Sequence, residues 1–238
     1  MRKILHVMPV KVEESRKKRV KSLLEKLSFK DTCVDILSFD DGPTNVEYYY
    51  SEHMAINFMI EKIPKIQKDY DVITIGCFYD PGLRELREIL EIPVLGIGET
   101  SMALASLLGH RFSIIVVRKK WIPKMSDNAL LYGYNRKIAS WVSIDMTVKN
   151  FSTKSREEII EVIVKKSKKA IKENLAEVII LGCAAIEGIS DTLQKILKIP
   201  VINPVVVTFK TAEIISDLKK KMGLSTSKMY DYESNIKF

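Results

Sequence analysis

Two segments of the chain, residues 71–77 and 177–183, are apolar runs that end in the dipeptide Gly-Cys. Each is followed by a helix-like stretch and then by Ile-Pro-Val, with 16 positions from cysteine to proline in the first copy and 17 in the second. The pattern indicates two copies of one structural unit, so Cys77 and Cys183 are expected to be related by pseudo-twofold symmetry. Two thiols that face each other across a cleft can take a proton from one face of a carbon atom and return one to the other face.

Both cysteines lie at the carboxyl end of a predicted strand and ahead of a predicted helix, where backbone N–H groups are unpaired. Asp80 is expected to cap the first helix, with Pro81 at its first position, and the second helix is expected to start within 183–185. A helix start lowers the pKa of a thiol from about 8.5 and favours the thiolate. Each cysteine thus has a route to acting as a base while the other acts as an acid. The structural alternative is that both are small buried hydrophobic residues, which is the prediction for Cys33.

Apolar runs of strand length alternate with segments of helical period along the chain. The alternation predicts parallel sheets with crossover helices, because strands buried on both faces are continuously apolar. The predicted strands are 3–8, 32–38, 71–76, 94–97, 112–117, 141–146, 177–182 and 200–202. The predicted helices are 13–27, 45–67, 82–90, 99–108, 122–132, 155–174, 185–197 and 205–221.

The predicted fold is α/β, with two pseudo-symmetric lobes of the flavodoxin or Rossmann type, each a parallel sheet with flanking helices. The first lobe is expected to be discontinuous, residues 1–98 plus 205–238, and the second to span residues 99–204. The active site is expected in the cleft between the lobes, because ligands of open parallel sheets bind at the carboxyl ends of the strands. The tail 222–238 has little periodicity and is expected to be loosely held.

Composition narrows the possible function classes. The formal net charge is +8, but the basic clusters lie in predicted helices beside acidic residues, so solvated helix faces explain them better than nucleic-acid binding. No apolar run reaches the roughly 18 residues that cross a membrane. Three cysteines, an odd number, argue against a disulfide framework, and a cytoplasmic location is expected. The chain has no Cys-x-x-Cys pair, phosphatase loop or Walker motif, so neither a metal nor an organic cofactor is predicted.

Several motifs resemble the Asp/Glu/hydantoin racemase superfamily. They are residues 42–47, 76–83, 93–99, 181–185 and 200–202, within a similarity that covers roughly residues 1 to 215. They are closer to the hydantoin and allantoin racemase branch than to the aspartate branch. The resemblance implies cofactor-independent racemisation of a small carbon acid, such as a hydantoin, allantoin or an amino acid derivative, with Cys77 and Cys183 as the acid–base pair. It also implies a homo-oligomer.

The substrate-binding positions depart from the family pattern. Residues 7–11 replace Asn-Pro-Asn-Thr at the end of the first strand, 116–118 replace Val-Thr-Thr, and 203–204 replace Asp-Gly. Lys11 and Arg118 either favour an acidic substrate or point to solvent. The residues expected to contact the substrate are Pro9, Phe78, Val117, Arg118, Ala184 and Asn203.

Alternatives to a racemase remain open at the level of sequence. A decarboxylase or cis–trans isomerase on the same fold is one, although such a decarboxylase needs only one thiol to protonate an enolate. A non-catalytic small-molecule binding protein is another, because the binding positions are altered. The run of three tyrosines at 48–50, beside Glu47, is expected to form a lid, an interface or a core cluster.

Overall fold

Two compact units make up the chain. The computed structural model describes residues 1–146, 153–186 and 188–236. The first unit comprises Met1–Ile97 and Thr208–Phe238, and the second comprises Gly98–Val207. Each unit is built around its own sheet, and each sheet consists of parallel strands.

The first unit has a four-stranded parallel sheet in the order β2-β1-β3-β4. All four residues of β3 are buried, which explains the continuously apolar run that the sequence shows there. The strands are β1 (Arg2–Val7), β2 (Thr32–Leu37), β3 (Val72–Ile75) and β4 (Val94–Gly96). The helices that connect them are α1 (Glu14–Leu27), α2 (Tyr49–Ile66) and α3 (Leu83–Ile89).

The second unit repeats this topology with the strand order β6-β5-β7-β8. Its strands are β5 (Phe112–Val116), β6 (Ile138–Ser143), β7 (Val178–Leu181) and β8 (Val201–Ile202). Its helices include α5 (Ile122–Leu131), α6 (Arg156–Asn174) and α7 (Ser190–Leu197), while α4 (Ile97–Leu108) and α8 (Pro204–Met222) carry the chain from one unit into the other. The predicted α/β class with parallel sheets and flanking helices is therefore confirmed.

A buried carboxylate fastens α8 to the first unit. Glu213 is fully buried, and its Oε1 accepts hydrogen bonds from the Phe29 N–H group and the Thr32 hydroxyl, both at 2.7 Å. Lys210, one turn earlier on α8, forms an ion pair with the same carboxylate at 2.5 Å. A buried charge is tolerated only when it is paired and hydrogen-bonded in this way.

Two predictions about the first unit are wrong. Cys33, which was expected in the core, is exposed because β2 is an edge strand of its sheet. The C-terminal tail is tethered where a loose segment was expected. The Lys228 ammonium donates to the main-chain oxygens of Arg87 and Glu88, at 2.6 and 2.8 Å, and so satisfies carbonyl groups at the end of α3.

His6 is a buried polar residue in the middle of the first sheet. Its Nδ1 lies 2.8 Å from Thr74 Oγ1 on the neighbouring strand β3. Burial lowers the pKa of the imidazole to about 4, because the charged form loses its hydration. The folded protein therefore holds His6 neutral in a pH range where the unfolded chain protonates it.

This difference predicts a pH dependence of stability. The unfolded chain binds the additional proton between about pH 6.5 and pH 4, so the free energy of unfolding falls as the pH is lowered through this window. The His6 contribution to that fall is expected to reach about 3 kcal/mol. Urea unfolding of the wild type and of His6→Gln at pH 7, 5.5 and 4 measures it. An equally steep pH dependence in both proteins would contradict the assignment to His6.

Candidate active site

Cys77 is a half-buried thiol in a tight turn that directly follows β3. The Asp80 N–H group donates to Cys77 O at 2.9 Å and closes the turn. Helix α3 begins only at Leu83, and Gly82, in a left-handed conformation with φ of 70°, takes the N-cap position. The prediction that Asp80 caps this helix is wrong, because the chain needs the turn and a left-handed glycine before it can start a helix.

Cys183 occupies the equivalent turn after β7 and is also a half-buried thiol. The Ile186 N–H group donates to Cys183 O at 3.1 Å, and the Ala185 N–H group donates to Cys183 Sγ at 3.4 Å. Helix α7 begins at Ser190, so the prediction that it starts within 183–185 is wrong. The donor to this sulfur is therefore an amide of the turn and not an amide at a helix start. An N–H donor favours the thiolate.

A glycine precedes each cysteine because no side chain fits there. A Cβ atom placed on Gly76 would lie 2.6 Å from His6 Nε2, and one on Gly182 would lie 2.8 Å from Ile114 Cγ2. His6 and Ile114 hold equivalent places in the two sheets, since each lies on the strand beside the one that ends in Gly-Cys. The imidazole ring of His6 thus packs against the backbone at Gly76, and the aliphatic side chain of Ile114 packs against the backbone at Gly182.

Tyr79, two residues after Cys77, is buried near acidic residues. Glu52, in the first turn of α2, is 5% exposed, and Tyr79, two residues after Cys77, is 7% exposed. Burial raises the pKa of the Tyr79 phenol, and the charges of Cys77 and Glu52 raise it further. Glu47 adds to this effect. The phenol therefore stays protonated as a hydrogen-bond donor next to a group of negative charges.

Sequence reasoning missed Glu52, although the chain carries a signal for it. The buried face of α2 includes Glu52, Ala55, Met59 and Ile63, at the spacing of three and four residues that marks one side of a helix. A glutamate in phase with an apolar stripe is an unusual residue at a buried position. The tyrosines at 48–50 are exposed, which rules out the core cluster among the three alternatives proposed for them.

Two candidate substrate contacts lie with Cys77 in the first unit. Pro9 follows β1, and Phe78 follows Cys77 directly. Strands β1 and β3 are neighbours, with Val7 paired to Ile75, so these residues share the carboxyl edge of one sheet. Pro9 and Phe78 are both buried, and Phe78 is 3% exposed.

The remaining candidates lie in the second unit with Cys183. Val117 and Arg118 follow β5, Ala184 follows Cys183, and Asn203 follows β8. Strands β5, β7 and β8 are consecutive in the sheet, so all these residues lie at one carboxyl edge. Val117 is 2% exposed, whereas Arg118 and Ala184 are half-buried.

Asn203 has a structural function that its sequence context explains. Its Oδ1 accepts hydrogen bonds from the N–H groups of Val205 at 3.1 Å and Val206 at 3.3 Å, which makes it the N-cap of α8. Pro204 follows as the first helical residue. The contact of Asn203 with substrate stays a prediction.

Neither a metal centre nor a membrane-crossing helix is found among the residues that the structure describes. No group of three or more His, Cys, Asp and Glu side chains in this part of the chain could hold a metal ion. Within the same residues, no helix is both long enough and apolar enough to span a bilayer.

Known proteins resemble the chain in both sequence and fold. The Asp/Glu/hydantoin racemase family model matches residues 7–212. A hydantoin racemase of Pseudomonas sp. strain NS671 is 38% identical over 204 residues, which cover 85% of this chain and 80% of that protein. The solved structure of an allantoin racemase from Pseudomonas fluorescens has a TM-score of 0.88 at 25% identity and covers 99% of this chain and 98% of its own. An allantoin racemase from Klebsiella pneumoniae has the same fold, with a TM-score of 0.89 at 24% identity over 100% of this chain and 95% of that one.

The chain belongs to the Asp/Glu/hydantoin racemase family. It is an isomerase of the racemase type. The resemblance inferred from the cysteine motifs is thereby confirmed.

The Ala185–Cys183 contact predicts an acidified thiol. A variant that keeps only Cys183, Cys33→Ser/Cys77→Ser, is alkylated with iodoacetamide over a range of pH. The midpoint of the rate profile should lie at lower pH in the folded variant than in the same variant in urea, because the N–H donor favours the thiolate. Coincident midpoints in the two states would contradict a function for this hydrogen bond.

Proposed function

We propose that the protein is a hydantoin racemase that needs no cofactor and uses Cys77 and Cys183 as its acid–base pair. The observation that carries the proposal is the equivalent placement of two half-buried thiols, each in a turn after the third strand of a four-stranded parallel sheet. The 38% identity to a hydantoin racemase supports the substrate class.

The reaction requires one thiolate and one thiol on opposite faces of the substrate. The thiolate removes the proton from C5 of a 5-monosubstituted hydantoin, and the electron pair of the C–H bond moves into the adjacent C4 carbonyl to give a planar enolate. The other thiol then donates its proton to the opposite face of C5. The sulfur atoms exchange their protonation states in one turnover, so each cysteine must function as both acid and base.

The charges near Cys77 favour a neutral substrate. Glu52 is 5% exposed and its charge acts on Tyr79, two residues after Cys77, so an anionic group that binds there meets a poorly screened like charge. A hydantoin ring is neutral near pH 7, whereas aspartate and glutamate carry carboxylates. Of the two residues considered as determinants of an acidic substrate, Lys11 is exposed, whereas Arg118 is half-buried and its contact with substrate stays a prediction. These features support a hydantoin over an acidic amino acid.

Other reactions of the same carbon-acid type make different demands on the thiols. A decarboxylase forms its enolate by loss of carbon dioxide and needs one proton donor, so a second, equivalently placed cysteine has no function in it. A binding protein that lacks catalysis needs neither thiol.

Loss of either thiol is expected to abolish racemisation. Cys77→Ser and Cys183→Ser should each lower kcat for L-5-benzylhydantoin by at least about 100-fold, because general acid–base catalysis contributes on that order. Polarimetry measures racemisation, and NMR in deuterium oxide measures exchange at C5. The control is Cys33→Ser, which removes an exposed thiol and should keep full activity. Tight binding of the hydantoin without deuterium incorporation would exclude the racemase, and full activity in both variants would exclude the two-thiol mechanism.

The acidic surroundings of Cys77 predict discrimination by substrate charge. The wild type should racemise 5-methylhydantoin at least about tenfold faster, as kcat/KM, than the anionic 5-carboxymethylhydantoin, and Glu52→Gln should narrow this ratio because it removes a buried negative charge. Glu61→Gln is the matched control, since Glu61 lies on the same helix with 68% of its side chain exposed. An equal ratio in the wild type and Glu52→Gln would show that Glu52 does not contribute to discrimination.

A further inference from the structure

Asp80 is a buried carboxylate that the proposed reaction does not use. It is 5% exposed and lies in the Cys77 turn with a left-handed backbone, at φ of 49°. Its N–H group donates to Cys77 O at 2.9 Å, and its carbonyl oxygen accepts from the Leu83 N–H group at 3.2 Å. Its main chain therefore connects the turn that carries the thiol to the start of α3.

The side chain of Asp80 occupies the space that a side chain at position 96 would need. A Cβ atom on Gly96 would lie 2.4 Å from Asp80 Cγ and 2.5 and 2.7 Å from the two carboxylate oxygens. Gly96 is the last residue of β4, and α4 begins at the next residue, Ile97. A carboxylate near a helix start is favoured by the partial positive charge of the unpaired N–H groups.

In the second unit, a different residue supplies the oxygen atom beside the helix start. Ile186 holds the place of Asp80, since its N–H group also closes the cysteine turn, and its side chain is apolar. Asn203 holds the place of Gly96 and caps α8 with its own Oδ1. In the second unit the helix cap is thus independent of the cysteine turn, whereas in the first unit the turn itself supplies the oxygen atoms beside the helix start.

We propose that Asp80 is a positioning residue: its carboxylate anchors the Cys77 turn at the junction of β4 and α4 and so holds the Cys77 thiol in place for proton transfer. The proposal rests on the proposed racemase function. Misplacement of a reacting group by about 1 Å costs on the order of 100-fold in rate, so loss of the anchor should lower kcat far more than it changes KM.

Two substitutions at Asp80 separate positioning from acid catalysis. Asp80→Asn keeps the shape, the hydrogen-bond-accepting oxygen and the tolerance of a left-handed backbone, and should retain kcat for L-5-benzylhydantoin within about tenfold. Asp80→Gly removes the side chain without backbone strain and should lower kcat by at least about 100-fold with KM nearly unchanged. If Asp80→Asn is as inactive as Asp80→Gly, the side chain does not act as an anchor and the proposal fails.

A double variant separates positioning from helix stability. Asp80→Gly/Gly96→Asn transplants the arrangement of the second unit, with the cap on the helix itself, and the loss of the Asp80 side chain makes room for the new one. We expect it to recover most of the Tm lost in Asp80→Gly while kcat stays low. If kcat recovers together with Tm, Asp80 is a helix cap and nothing more, and the proposal is overturned.

A readout that needs no turnover keeps this test independent of the racemase assignment. In the Cys33→Ser/Cys183→Ser background, Cys77 is alkylated at a pH well above about 8.5, where thiols are ionised and the rate reports access. Asp80→Gly should raise the rate at least about threefold, because the turn loosens around a half-buried sulfur, and Asp80→Asn should not. An unchanged rate in Asp80→Gly would overturn the anchor, whereas a wild type that fails to racemise hydantoins would overturn only the proposed function.

Discussion

The glycine before each cysteine determines where that cysteine lies, because the glycine passes the neighbouring strand too closely to carry a side chain. The Gly76 N–H group donates to Val7 O at 2.7 Å, and the Gly182 N–H group donates to Ile115 O at 2.8 Å. These bonds continue the backbone pairing of the sheet beyond the last strand residue, so the chain turns away at the residue that follows. A thiol therefore lies at the carboxyl edge of both sheets, where ligands of parallel sheets bind.

The two units are more alike in backbone structure than in the groups that surround the two cysteines. Both cysteine turns are closed by an N–H group three residues later, that of Asp80 in one unit and of Ile186 in the other. Two residues after Cys77, the Tyr79 phenol is buried, and the charge of Glu52 raises its pKa further. The sulfur of Cys183 receives the Ala185 N–H group, which favours the thiolate. A repeated fold thus gives two equivalent positions, and the residues around them differ.

Much of the fold follows from local patterns in the sequence. The strands are continuously apolar because both faces are covered, and the Asn203-Pro204 pair starts a helix through its own cap and its fixed backbone. The wrong predictions occur where a local sequence motif takes part in a second structural feature. Asp80-Pro81 resembles a helix start, yet the turn around Cys77 and the left-handed Gly82 delay α3 to Leu83.

By itself, the sequence determined the family, the α/β class and the equivalence of the two cysteines, because these depend on periodicity and on motifs that repeat along the chain. Only the tertiary structure decided which polar groups surround them. Glu52 comes from a helix about 25 positions before Cys77, and Gly96 is a glycine because Asp80 occupies its side-chain space. Such contacts join residues that are distant in sequence, and their cost or benefit depends on burial, which no local pattern specifies.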